Sequence, residues 1–381
     1  MRAVAVHDAE LSVVERPVPE PGRGQVLVKV LRAGICGSDL HVRHDADGSA
    51  DIAAEVGYPD FMRRSDEVVL GHEFTGVIVA YGPGCRARVP VGRHVVTLPL
   101  IRVDGKVHMI GLSTHAPGGF AEYVLTDEDA LMPVPHGVDP DLAVLTEPLA
   151  VAHHAVRMGG ARRSDPAVVV GCGPIGLAVI LLLKAAGVRH IVASDFSESR
   201  RELAKRCGAH VVVDPASDSP WAHSGDGPGV IRSAPAYYGT GLEALHALRG
   251  VPLLPWRRVM RTAKRFGAGP RGPVVFECVG LPGVIEEIVS NTPFLSTVVV
   301  VGVCMRPDTF RPTMAINKEL QLRFSFCYDP ADFDETLRMI ARGRIDARAL
   351  ISRVIGLSEV PAAFDDLAAA RDAKILIDPS R

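Results

Sequence analysis

Apolar residues fall along this chain in two different textures. Up to about residue 148 they come as short β-branched runs: 25–31 (QVLVKVL), 76–81 (GVIVAY) and 94–98 (HVVTL). Gly and Pro punctuate these runs, as in PEPGRGQ, GPGC and PVGR. That pattern predicts an antiparallel, barrel-like β domain. After Pro166 the runs become almost wholly apolar and alternate with helical stretches. Segments 168–170, 190–195, 210–214, 274–279 and 297–303 read as strands. Ser197 is placed to cap a helix running to Cys207, and Gly208 stands where a helix end favours a left-handed residue. Strands apolar on both faces and separated by helices predict a parallel sheet covered on both sides, so the class is α/β.

One stretch breaks the alternation. Between Asp214 and Pro273 the chain is far longer than a single crossover needs, since a whole βαβ unit takes about 30 residues. It begins polar and Gly/Pro-rich (DPASDSPWAHSGDGPG) and continues with helix-like pieces at 241–248 and 256–265. The second piece carries Arg257, Arg258, Arg261, Lys264 and Arg265. We read 216–272 as a surface insertion with a solvated basic face, the alternative being a lid or a subunit contact. Another stretch, 166–183 (PAVVVGCGPIGLAVILLL), is uncharged but broken by glycines and a proline. A buried strand, a turn and a buried helix explain it better than a membrane span.

Composition narrows the function classes. Lys and Arg number 42 against 44 Asp and Glu, a net charge of −2, so the chain as a whole offers no electrostatic footprint for nucleic acid or anionic membrane. The 7 cysteines are widely spaced, odd in number and form no CxxC pair, which fits a reducing cytoplasm.

The first chemical motif is a GxGxxG, Gly171-Cys172-Gly173-Pro174-Ile175-Gly176. It directly follows a predicted strand and opens a predicted helix. Gly171 permits the tight turn, Gly173 lets backbone approach a pyrophosphate, and Gly176 lets helix and strand pack closely. Free N–H groups at the helix start attract phosphate. Asp195 ends the next strand, about 20 residues on, where a carboxylate accepts from the adenosine ribose. An acid there repels a 2′-phosphate and favours NAD over NADP; Arg200 and Arg201 nearby pull the other way.

The second constellation is Gly34-Ile35-Cys36-Gly37-Ser38-Asp39-Leu40-His41 with Gly71-His72-Glu73 and Thr146-Glu147-Pro148. Thiolate, imidazole and carboxylate are ordinary zinc ligands, and a catalytic site keeps one position open. These motifs, in this order, resemble the zinc-dependent medium-chain alcohol and polyol dehydrogenases, in particular the sorbitol and butanediol dehydrogenase branch. The likeness takes in the glycine motif, Val301-Gly302-Val303 and the closing Lys374-Ile375-Leu376-Ile377-Asp378-Pro379.

The resemblance implies an N-terminal GroES-like barrel catalytic domain over 1–148 and 326–381. It implies a Rossmann coenzyme domain over 149–325, carrying the insertion. It implies Cys36 and His72 as zinc ligands, with Glu73 and Glu147 competing for the third place. It further implies that Ser38 accepts the alcohol proton and passes it through the nicotinamide ribose to His41. Asp39 would orient the zinc histidine, Val301 and Val303 would border the nicotinamide, and Lys374 would contact the coenzyme pyrophosphate. Many relatives carry a lobe of four cysteines for a structural zinc. The corresponding 97–119 has none, and His108 and His115 alone cannot close such a site, so one zinc per chain is expected. The implied reaction is reversible hydride transfer between NAD and a secondary alcohol, polyol or diol, in a homodimer or homotetramer. Two other readings are a zinc-free reductase of the quinone-reductase kind and a non-catalytic nucleotide-binding protein. Cys36 with His72 opposes the first, and the intact Ser38 and His41 oppose the second.

Overall fold

A computed structural model describes residues 1–224, 230–265, 269–368 and 372–381. The chain divides into two compact units, Met1–His153 with Cys327–Arg381, and His154–Phe326. The boundary expected at 148/149 falls inside the helix Thr146–Gly159, and the division comes later within it.

The first unit is built on a seven-stranded sheet. Leu131–Pro133, His94–Thr97, Glu73–Tyr81, Gln25–Gly34, Lys374–Ile377 and Ile351–Ile355 follow one another across it, and Tyr123–Asp127 also pairs with Gln25–Gly34. A three-stranded sheet of Glu10–Glu15, Arg2–His7 and Val68–Val69 completes the strands around its core. Val26, Val28, Val30, Phe74, Ile78, Phe120 and Phe364 fill that core. The antiparallel register sets Gly34 opposite Glu73 on one side and opposite Leu376 on the other. That single crossing brings the Cys36 loop, the strand beginning at Glu73 and the C-terminal strand to one place. The polar segment after His41 is largely helical: Asp45 caps Ala46–Glu55, and Ala46 and Ala50 are buried.

The second unit holds a six-stranded, all-parallel sheet. Its order is Val211–Val213, Ile191–Ser194, Ala167–Val170, Val274–Glu277, Thr297–Val300, Gln321–Phe324. This is the doubly wound order, whose switch point lies at the carboxyl end of the first strand, Ala167–Val170. Ser197 caps Glu198–Cys207 by accepting from the Arg200 backbone, and Gly208 ends it at φ +112°.

The expected surface insertion is only partly one. Trp221 is buried among Val168, Val192, Val213, Val275 and Ile288, and its indole N–H donates to Glu287 Oε1 at 2.8 Å. Ile231 is also buried, and its carbonyl accepts from Phe294 N at 2.9 Å. Trp221 and Ile231 therefore belong to the body of this unit. The exposed part is the pair of helices Ala234–Arg249 and Trp256–Arg265, the first with no buried residue. The guanidinium carbons of Arg249 and Arg257 lie over the Trp256 ring at 5.1 and 5.3 Å. Residues 225–229 and 266–268 of the expected insertion lie outside the described residues.

Candidate metal and coenzyme sites

Cys36 stands at the N-cap of the helix Gly37–His44. Asp39, at the third helical position, turns back and accepts from Cys36 N through Oδ2 at 2.8 Å. The thiol is thereby held at the N-terminal end of this helix. His72 and Glu73 follow Gly71, which turns the chain at φ +101° with the Phe120 ring packed where a side chain would be. One donor atom each from Cys36, His72 and Glu73 can be chosen so that all lie within 4.8 Å of one another.

The polar atoms around this cluster are conspicuously under-satisfied. Asp39 Oδ1 and His72 Nδ1 are buried and make no hydrogen bond, and Glu73 Oε2 makes none beyond its ion-pair contact with Lys374. Asp39 Oδ1 and His72 Nδ1 face each other at 3.3 Å without hydrogen-bond alignment, and Ser38 Oγ lies 3.2 Å from His72 Nε2. Buried orphans are rare and call for an explanation. A thiol, an imidazole and a carboxylate converging with spare lone pairs have the chemistry of a zinc site, so the residues present fit the metal.

Burial alone would lower the His72 pKa, but the Asp39 carboxylate and then Cys36 outweigh it and hold the ring well above its ordinary value. Glu147, in the first turn of Thr146–Gly159, is buried beside the cluster. Burial first, and the Glu73 charge second, push its carboxyl up to about 7. Tyr328 hydrogen-bonds to it, and burial together with Glu147 raises that phenol well above its usual range. No sequence signal marked Tyr328, because its role depends on where the chain re-enters this unit after Cys327.

Lys374, which the resemblance implies for the coenzyme pyrophosphate, lies beside the metal cluster. Its side chain is 2% exposed, and the ammonium donates to Glu73 Oε1 at 2.6 Å and to Ile35 O at 2.9 Å and also touches Glu73 Oε2. The strand register that sets Gly34 between Glu73 and Leu376 aims Lys374 at the metal cluster. Its hydrogen bonds go to Glu73 and Ile35, within its own unit. His41 lies on the same helix as Ser38, three residues on. Partial burial, then His44, lowers its pKa below the ordinary 6.5.

In the second unit the glycine motif forms the turn between Ala167–Val170 and the helix Pro174–Ala185, with Gly171 at φ +91° and Gly173 as N-cap. A Cβ on Gly173 would meet open space, while one on Gly176 would strike the Gly171 carbonyl. Asp195 leans over this turn: Oδ2 accepts from Cys172 N at 2.7 Å and Oδ1 from Ser197 N at 2.8 Å. Arg201 is committed to Asp214 and to the Asp195 and Phe196 carbonyls, whereas the buried Nε of Arg200 has no partner. Val301 and Val303 follow the strand Thr297–Val300, and the Val301 and Gly302 amides both donate to Glu277 O. Glu277 went unmarked in the sequence. It is buried at the end of its strand, and its carboxylate accepts from Val279 and Gly280 N.

Residues 22–136 match the alcohol dehydrogenase GroES-like domain, and residues 174–231 match the zinc-binding dehydrogenase domain. The (R,R)-butanediol dehydrogenase of Bacillus subtilis is 30% identical over 394 residues, covering 100% of both chains. The chain belongs to the zinc-dependent medium-chain alcohol and polyol dehydrogenase family. A sorbitol dehydrogenase of Halalkalibacterium halodurans is 27% identical, covering 97% of this chain and 95% of that one. The crystal structure of 2R,3R-butanediol dehydrogenase from Bacillus subtilis matches with a TM-score of 0.74 at 28% identity over 99% of both chains. A Sinorhizobium meliloti structure described as a zinc-binding dehydrogenase bound to NADP matches with a TM-score of 0.76 at 27% identity, again over 99% of both. This family member is an oxidoreductase with a GroES-like unit and a Rossmann unit, acting on a small molecule with zinc and a nicotinamide coenzyme. Among the described residues no helix is long and apolar enough to cross a membrane.

Proposed function

We propose that this dehydrogenase oxidises secondary alcohols of the vicinal-diol and polyol class with NAD, using one zinc per chain held by Cys36, His72 and Glu73. The observation that carries the reading is the convergence of those three donors, with Glu147 beside them and tied to Tyr328. Zinc, when bound, supplies a Lewis acid that lowers the pKa of an alcohol. The chain supplies the rest. Ser38 Oγ, already next to His72, takes the hydroxyl proton, and His41, on the same face of the helix, carries it towards water. Asp39 keeps the His72 ring in place from its other nitrogen. Glu147 offers a carboxylate to a second substrate hydroxyl, which supports a diol or polyol over a simple alcohol.

Asp195 supports NAD, because its fixed carboxylate meets the ribose side of the glycine turn and repels a 2′-phosphate. The unpaired Arg200 Nε favours some use of NADP, so both coenzymes belong in the assay. The relatives named for butanediol and sorbitol support the substrate class. A homodimer or homotetramer in the cytoplasm is the assembly and setting we propose. The test is a screen of butanediols, sugar alcohols, amino alcohols and simple primary alcohols, followed by NADH absorbance. Highest kcat/KM with a vicinal diol or polyol is expected. Turnover confined to primary alcohols contradicts the reading.

A further inference from the structure

Lys374 opens the strand Lys374–Ile377, and its ammonium lies in the interior of the first unit. It donates to Glu73 Oε1 at 2.6 Å and to the Ile35 carbonyl, next to Cys36, at 2.9 Å. Glu73 itself is 0% exposed. Gly34 packs against both: a Cβ there would strike Glu73 Oε2 and stand 3.1 Å from Lys374 Cε. A buried carboxylate with no cation is very costly, and so is a buried ammonium with no anion. Without metal, then, Glu73 is kept in the core by Lys374.

We infer that Lys374 and the metal compete for one carboxylate, Lys374 serving as the counter-ion of Glu73 when the site is metal-free. The inference rests on the metal reading proposed above. Lys374 sits against both carboxylate oxygens of Glu73, donating to Oε1 and touching Oε2, and the same carboxylate has an oxygen within 4.8 Å of the Cys36 and His72 donor atoms, so ammonium and metal would draw on one group. A divalent cation on that oxygen draws on the carboxylate's charge and repels the nearby ammonium. Lys374 therefore favours the metal-free state more than the loaded one. Coupling of this kind is reciprocal: whatever zinc does to the ion pair, the ion pair does to zinc affinity. Lys374 is on this account a positioning residue. It keeps the metal-free unit folded and the carboxylate in place, and it holds zinc affinity below what Cys36, His72 and an unpaired Glu73 would give.

The test compares full-length wild type, Lys374→Met and the double variant Glu73→Gln/Lys374→Met. Zinc affinity is measured by competition with a chromophoric chelator, thermal unfolding with and without zinc, and NAD affinity by fluorescence titration. Lys374→Met is expected to bind zinc at least about tenfold more tightly than wild type. Its metal-free unfolding temperature should fall sharply, while the zinc-loaded one stays near wild type. The double variant, with no charge left to bury, should regain metal-free stability. If Lys374→Met folds only when refolded with zinc, the inference is supported. If it folds under neither condition, the double variant decides: recovery supports the ion pair, and continued failure overturns it. Unchanged or weaker zinc affinity in Lys374→Met overturns the inference, the more so if NAD affinity drops in its place. Failure of the wild type to take up zinc is a separate result, which overturns the metal reading itself.

Discussion

Glu73 can sit beside Cys36 and His72 because the residue across the sheet, Gly34, has no side chain. Gly34→Ala should push the carboxylate aside and lower zinc affinity by about 10- to 100-fold, the usual cost of disturbing a group next to a metal ligand. Chelator competition measures this, and an unchanged circular dichroism spectrum would show that the fold is retained. His41 bears on the proton path. Partial burial and then His44 hold its pKa below 6.5, so at neutral pH it is uncharged and free to accept a proton. Alcohol oxidation should therefore weaken as the pH falls through a value under 6.5. The His41→Gln variant should be slower by roughly 10²-fold or more near neutrality and should lack that acid limb in its kcat/KM profile. A wild-type acid limb that persists unchanged in His41→Gln would remove His41 from the relay.

At the level of elements, the parts that were easiest to read were those whose burial is uniform. Ile191–Ser194 and Val274–Glu277 lie in the middle of the parallel sheet, covered on both faces, and their composition is correspondingly apolar. The edge strand Gln321–Phe324 went unread because its residues are mostly exposed and carry no apolar run. The metal motifs were legible because ligand types and flanking glycines are local features. Tyr328 and the contact of Lys374 with Glu73 were not, because they depend on the return of the chain at Cys327 and on the register of the last strand. Trp221 was misjudged for a similar reason: a polar, Pro/Gly-rich neighbourhood hides a side chain that fills the core. Trp221→Ala should cost about 3–5 kcal/mol in urea unfolding. Removing residues 234–265, the two exposed helices, should by contrast leave zinc binding and single-turnover hydride transfer close to wild type. Loss of hydride transfer in a deletion that folds and binds zinc would show that this hairpin takes part in the reaction.

At the scale of the whole molecule, the proposed zinc ligands gather where three strands and a helix start meet in one unit, and the glycine turn lies at the switch point of the parallel sheet in the other. The stretch 97–119 forms the hairpin Leu100–Val103 and Lys106–Met109 with a buried His108, and it supplies no thiolate. Elemental analysis of the purified protein should accordingly find close to one zinc per chain, and two tightly held ions would refute that expectation. The most direct test of the central claim is the rate of NADH formation from a vicinal diol, read on one preparation as purified, after stripping by a chelator and after zinc is restored. The account expects the rate to collapse on stripping and to return with zinc, and expects Cys36→Ser to show no such recovery. Undiminished NADH formation in protein shown to be free of metal would contradict it.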